Sequence, residues 1–243
     1  MADVPIVGLI VPPAAGQVPE EGPRMYGKSV KFAAAGLGLG WMTPEGYDSV
    51  IDRITTAARD LSARGVEALS IMGTSLTFYR GAAFNRELID AVSRATGLPA
   101  TSMSTGVVDG LRAVGARRVA VGTAYIAEVN DRLRRFLVES GFEVLAVEGL
   151  LIDRIGVAKT VSQDMLLDLG ERVFRASPGA YAILISCGGF RTLDLAVPLE
   201  ASTGVPVISS TPAAFRAVVR LVGHSGAAPG FGRLLEEQSG AVG

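Results

Sequence analysis

The chain has 243 residues, of which 49% are hydrophobic and 19% charged, with a formal net charge of −1. So large an apolar share supports a sizeable core and argues against disorder. The near-neutral balance, with no basic tract, argues against nucleic acid and anionic membrane surfaces as partners. The single cysteine leaves no partner for an intrachain disulfide and fits a reducing compartment. Met1 to Pro5 carry no cationic region, and nowhere do about twenty apolar residues run together. The expectation is a cytoplasmic protein with no membrane span.

In chain order, Ile6 to Val11 read as a buried strand, closed by Pro12-Pro13-Ala14-Ala15-Gly16. Gln17 to Gly40 is expected to be long and mostly irregular, a connection that usually covers a site. Its run Gly36-Leu37-Gly38-Leu39-Gly40 is not expected to follow a strand closely and lacks the G-x-G-x-x-G spacing of a dinucleotide fingerprint. Thr43 and Pro44 open a helix as N-cap and first helical residue, and it runs to about Arg64 before Gly65. Strands are expected at Ala68 to Met72, Ala100 to Met103, Arg118 to Gly122, Glu143 to Val147, from Ala182 up to Cys187, and Val205 to Ile208. Helices are expected from about Phe84 to Thr96, from Ser104 or Thr105, at Ile126 to Ser140, Ser162 to Ala176, Leu193 to Thr203 and Thr211 to Leu221. The last few residues are expected to fray.

Strand and helix alternate throughout, the pattern of an α/β protein with parallel sheets flanked by helices. There is also an internal echo. Thr96-Gly97-Leu98-Pro99-Ala100 returns as Thr203-Gly204-Val205-Pro206-Val207, and Ile71-Met72-Gly73-Thr74-Ser75 returns as Ile185-Ser186-Cys187-Gly188-Gly189. The copies are offset by roughly 110 residues, as in a duplicated unit. The expected architecture is two similar Rossmann-like halves related by a pseudo-two-fold with a cleft between them. Residues 1–115 form one half, joined by the C-terminal segment 207–243, and residues 116–206 form the other. Gly73 and Cys187 then stand at equivalent strand ends on opposite walls.

Ligands of open α/β sheets bind outside the carboxyl ends of the strands, where Cys187 sits. Gly188 and Gly189 leave backbone N–H groups uncovered beside it. The plainer reading is that Cys187 is a small buried hydrophobe. Hydroxyls also gather at strand ends: Thr74 and Ser75, Ser102 and Ser104, Thr123 and Tyr125, Ser209 to Thr211. Each alone reads as a helix N-cap, but together they make donors without charge. Such a site, with no Lys or Arg, suits a carboxylate whose charge grows during reaction. His224 lies in a glycine-rich loop with no triad order around it, and no metal-ligand spacing is present. Tyr79 and Arg80 read as surface or interface residues, and Glu45, Asp48 and Asp52 as the solvated face of a helix.

Several longer runs carry a resemblance: Ile10 to Gly16, Gly36 to Gly40, Thr43-Pro44-Glu45-Gly46-Tyr47-Asp48, Met72 to Leu76, Phe78 to Asn85, Thr123 to Ile126 and Ser186 to Gly189. Over nearly its full length the chain resembles the arylmalonate decarboxylase family, within the cofactor-independent aspartate/glutamate racemase superfamily. The racemases carry a cysteine on each wall. The decarboxylase pattern has glycine at the first place, as here with Gly73, and keeps Cys187.

The resemblance implies decarboxylation of an arylmalonate, without cofactor or metal, to an arylacetate-type acid of one handedness. It implies that the surviving carboxylate sits among Thr74, Ser75, Tyr125 and the amides of Ser75, Cys187 and Gly188. The departing carboxylate then faces Pro13, Leu39, Met42, Ile155 and Ala158, with Tyr47 and Gly73 completing the substrate pocket. Cys187 would protonate one face of the intermediate. The implied partner is a small dicarboxylate. A racemase or isomerase of the same superfamily and a non-catalytic carboxylate-binding protein are the alternatives; the missing second thiol weighs against the first, the poised thiol against the second.

Overall fold

The computed structural model of the protein describes residues 4–236; the expected fraying of the last residues lies outside them. The first sheet holds β1 (Ile6–Val11), β2 (Lys31–Gly36), β3 (Ala68–Ile71) and β4 (Ala100–Ser102), in the order β2-β1-β3-β4. The second holds β5 (Arg118–Thr123), β6 (Glu143–Gly149), β7 (Ala182–Ser186) and β8 (Val207–Ser209), in the order β6-β5-β7-β8. All pairings are parallel, and the two orders are the same arrangement repeated. The internal echo in the sequence is therefore an echo in topology.

The central strands are the continuous aliphatic runs. All four residues of β3 and all five of β7 are buried, as strands covered by helices on both faces must be. Each large aliphatic side chain removed from water contributes about 1.5–3 kcal/mol before entropy is charged against it. The repeated Thr-Gly pair has the same task in both halves. Gly97 and Gly204 end α5 (Gly81–Thr96) and α9 (Ala196–Thr203) at φ +72° and +78°, and their N–H groups donate to Ser93 and Glu200 carbonyls. A left-handed C-cap of this kind favours glycine.

Several expectations are corrected. Gln17 to Gly40 is not irregular: it contains α1 (Glu21–Tyr26) and β2. The strand Lys-Phe-Ala-Ala-Ala-Gly is an edge strand rich in alanine, a residue of weak strand preference, and pairing with β1 overrides the local signal. Gly36 closes β2, so the glycine run does follow a strand, although its spacing still departs from the nucleotide fingerprint. The helix expected from Thr43 to Arg64 is two, α2 (Pro44–Asp48) and α3 (Arg53–Ser62). Where α2 ends, the Ser49 hydroxyl turns back to donate to the Gly46 carbonyl at 2.6 Å, a local bond that competes with helix propagation. The Thr43 cap is present, its hydroxyl accepting from the Gly46 N–H at 3.3 Å. A further short helix, α4 (Thr74–Phe78), stands between β3 and α5.

The remaining helices are α6 (Met103–Ala113), α7 (Ala127–Glu139), α8 (Gln163–Arg175) and α10 (Ser210–Arg220). β8 belongs to the second sheet, so the return to the first half starts at α10, three residues later than expected. There α10 packs along α6. Gly106 of α6 marks their closest approach, because a Cβ built there would lie 2.8 Å from the Ala213 carbonyl oxygen and 2.9 Å from the Ala214 Cα. Both atoms are backbone and cannot swing aside. Gly106→Ala is therefore expected to push α10 off α6 and to lower stability by about 2–3 kcal/mol. A thermal or urea melt of the purified variant checks this.

Candidate active site

One enclosed cavity of about 120 Å³ lies where the two halves meet. The first half supplies its wall from the β1 exit (Pro12, Pro13), the loop after β2 (Leu39, Met42) and the β3–α4 junction (Met72 to Leu76). The second supplies Tyr125 after β5, Cys187 to Gly189 after β7, and Ile155, Gly156, Ala158 and Lys159 from the segment after β6. Carboxyl ends of parallel strands thus converge on one volume, as the fold class requires.

Eleven of the twelve residues named from the sequence line this cavity: Cys187, Thr74, Ser75, Tyr125, Gly188, Pro13, Leu39, Met42, Gly73, Ile155 and Ala158. The twelfth, Tyr47, is fully buried one layer behind, beside Ser75, and its hydroxyl is in hydrogen-bond geometry with no other described residue. The expectation of a cavity without a cation is corrected. Lys159, on the 3-10 turn Ala158–Thr160, stands at the mouth with its side chain exposed. No element had been expected in that part of the sequence. Tyr79 is likewise not a surface residue: it is buried, stacks at 5.0 Å on Tyr47, and donates to Asp48, which also pairs with Arg80.

Cys187 is 3% exposed. Burial pushes its thiol up from the ordinary 9.0 to about 11, against a smaller opposite pull from the Gly189 and Phe190 N–H groups. The Gly189 N–H points at the sulfur from 3.3 Å. At neutral pH this is a thiol, an acid holding its proton, with a donor in place for the thiolate it leaves behind.

Opposite it, α4 begins at Thr74 with Gly73 as an N-cap that offers no side chain. The first N–H groups of α4 are thus not claimed by a cap. The Thr74 hydroxyl points at the thioether sulfur of Met103, 2.8 Å away, a weak acceptor that a charged oxygen would displace. Tyr125 is 1% exposed, and burial first, then the neighbouring Cys187, keep its phenol well above the usual range. Its hydroxyl lies 3.5 Å from that of Ser186, with Thr74 beside it. The Tyr125 backbone is fixed by Asn130, which donates to the Tyr125 carbonyl at 3.2 Å and accepts from Thr123 at 2.6 Å, while Thr123 accepts from the Tyr125 N–H at 3.1 Å. Asn130 and Met103 were not legible in the sequence, since each is distant in the chain or on another element.

The cavity is roofed by a clasp between the halves. Trp41 and Arg154 form an antiparallel bridge, Met42 N–H donates to the Asp153 carbonyl at 2.6 Å, and Ile155 N–H donates to the Gly40 carbonyl at 3.0 Å. The Arg154 guanidinium lies 4.2 Å from the centre of the Trp41 ring.

Fold and site together define a two-lobed α/β enzyme with one buried cysteine at a strand end. A sequence model of the arylmalonate decarboxylase family matches residues 7–235, and the chain belongs to that family. The arylmalonate decarboxylase of Bordetella bronchiseptica is 51% identical over 237 residues, covering 97% of this chain and 98% of its own. A crystal structure of a liganded double mutant of arylmalonate decarboxylase superposes with a TM-score of 0.94 at 50% identity, covering 96% of this chain and all of that one (100%). The maleate isomerase of Nocardia farcinica (strain IFM 10152) is more distant, 25% identical over 249 residues with 96% of each chain covered.

The clasp yields a prediction. Arg154→Ala removes a cation–π contact worth about 0.5–1 kcal/mol at an exposed site. The Met42 and Ile155 amides are expected to exchange with deuterium several-fold faster, while amides in the middle of α7 keep their native rates.

Proposed function

We propose that the protein decarboxylates α-aryl and α-aryl-α-alkyl malonates to 2-arylalkanoic acids of one handedness, without a cofactor. The observation that carries this reading is the buried, protonated thiol of Cys187 facing a cradle of uncharged donors across an apolar cavity. The family relationship supports the substrate class.

In this mechanism one substrate carboxylate is held by the hydroxyls of Thr74, Ser75 and Tyr125 and by the N–H groups of Ser75, Cys187 and Gly188. The other lies against Pro13, Leu39, Met42, Ile155 and Ala158, where water is excluded. That carboxylate leaves as CO2, and the electron pair of the broken C–C bond passes into the retained carboxylate as an enediolate. Charge grows where the donors are, and each donor is worth about 3–4 kcal/mol of transition-state stabilisation. The Cys187 thiol then protonates the α-carbon, and its thiolate regains a proton from water. Uncharged donors suit the task, since a buried cation would hold both carboxylates equally and favour the ground state as much as the transition state. Lys159 remains solvated at the mouth, where its charge draws in a dianion. A reducing compartment keeps the thiol in the form this chemistry needs.

The relation to maleate isomerase makes isomerisation the second reading. Racemisation, the other activity the resemblance suggests, needs an acid on each face of one carbon, and the first wall offers glycine at position 73. A Cβ there would meet Pro12 Cγ and Leu76 Cβ at 3.1 Å, so these neighbours must shift by a few tenths of an ångström. Gly73→Cys is expected to fold and to exchange the α-hydrogen of a 2-arylpropionate with labelled solvent while racemising it. An enantiopure, unlabelled acid after prolonged incubation would remove the two-wall geometry.

Cys187→Ala is expected to keep its melting profile and to lose about 10²–10⁴-fold in kcat, read as CO2 released from phenylmalonates. Activity near the native level would end the proton-donor assignment. In the native enzyme the active form is the protonated one, so kcat is expected to stay level through neutral pH. It then falls as pH rises through about 11, rather than through the ordinary thiol value of 9.0.

A further inference from the structure

A second cleft, of about 710 Å³, opens where the carboxyl-terminal turns of α6 and α10 pass the start of β4. It reaches from Thr105, near the start of α6, to Leu221, just past the end of α10, and shares no lining residue with the catalytic cavity. Its charged lining is three arginines, Arg112, Arg216 and Arg220, and one acid, Asp109.

Two of the arginines have ordinary explanations. Arg112 and Arg220 sit in the last turns of α6 and α10, where the helix ends carry partial negative charge. Arg112 also donates to the Ser140 carbonyl at 3.1 Å. Arg216 has no such explanation. It stands one turn deeper on α10 and is 7% exposed. Among the described residues it has no ion pair and no hydrogen bond. Burial and the neighbouring Arg220 both oppose its charge, while Tyr26 and Asp109 favour it from beyond bonding distance. A guanidinium so largely covered, with its head opening only on the cleft and no anion bonded to it, is costly.

Arg216 and Arg220 are also held in place. Gly226, at φ +82°, lies so close that a Cβ there would meet Arg216 Cγ at 3.0 Å and Arg220 Cγ at 3.1 Å. The loop therefore clamps both stems while their heads face the cleft. Three cations against one acid leave an excess of two positive charges, on forks that match the paired oxygens of an oxyanion.

We propose that this cleft binds a compact, doubly charged oxyanion of phosphate type, with Arg216 as the buried anchor and Arg220 and Arg112 closing on it from the rim. The cleft is much larger than such an ion, so the phosphate is either free or the terminal group of a phosphomonoester.

The test titrates the native enzyme with inorganic phosphate and, separately, with AMP, using calorimetry and amide NMR shifts. Saturable binding with a dissociation constant near 1 mM or below, about the strength of a few good polar contacts, is expected. The shifts should centre on the last turns of α6 and α10. Tighter binding of AMP identifies a phosphomonoester as occupant and equal binding a free ion; both support the site. Arg216→Gln and the exposed Arg220→Gln should each weaken binding at least about tenfold, as loss of a charged hydrogen-bond partner does. Phosphate should raise the melting temperature of the native enzyme and not that of Arg216→Gln. Absence of saturation, shifts confined to Thr74, Ser75 and Gly188, or full affinity in Arg220→Gln would overturn the proposal. None of these readouts depends on turnover, so its failure is separate from any failure of the decarboxylase reading.

Discussion

Desolvation without charge is the constraint on which this site rests. Each ionisable group on the cavity wall or just behind it, apart from Lys159 at the mouth, is held in its protonated, neutral form by burial. Cys187 is raised to about 11, and Tyr125 and Tyr47 are raised above the ordinary phenol range. A neutral donor loses little by leaving water, whereas an ion loses much. The protein therefore keeps a dry chamber full of hydrogen-bond donors without a buried charge to stabilise. The same dryness makes those donors strong toward any charge that arises inside, because little water remains to screen it.

The scaffold delivers this chamber by using the same junction twice. A buried strand ends, the chain turns at glycine, and backbone N–H groups face the gap: Met72-Gly73-Thr74 after β3, Cys187-Gly188-Gly189 after β7. Glycine is needed at the second junction for close approach. A Cβ on Gly188 would meet the Met103 sulfur at 3.0 Å, and one on Gly189 would meet the Ala158 Cβ at the same distance. Side chains there would crowd Met103 and, on the cavity wall, Ala158. The clasp at Trp41 and Arg154 ties the loop after β2 to the segment after β6 beside the chamber. Site geometry and domain packing are thus set by the same contacts.

What the sequence made legible follows from where its signals are local. Continuous aliphatic runs mark β1, β3 and β7, since a strand buried on both faces has no alternation to disguise it. The hydroxyls and glycines that follow these strands mark the cavity, because strand ends of parallel sheets are where open sites form. β2 was hidden because Lys-Phe-Ala-Ala-Ala-Gly has neither period nor strong strand formers, and only its pairing with β1 makes it a strand. α4 was hidden because five residues with no side-chain cap carry no helix signal. Lys159 at the mouth was missed for a different reason. Spacing within one segment says which residues are near a strand end, but not which of them face inward once two halves have docked.

The pairing of Gly73 with Cys187 shows how such a scaffold separates two chemistries. An acid on each wall makes protonation reversible from both faces, the requirement of a racemase. With one acid, the planar enediolate is met from one side only, and the missing thiol is as functional as the one that remains. The place of Gly73 is not open solvent: a Cβ there would lie 3.1 Å from Pro12 Cγ and from Leu76 Cβ. Glycine at this position thus leaves no acid on the first wall to compete with Cys187. The absence of one side chain leaves Cys187 as the one thiol facing the cavity.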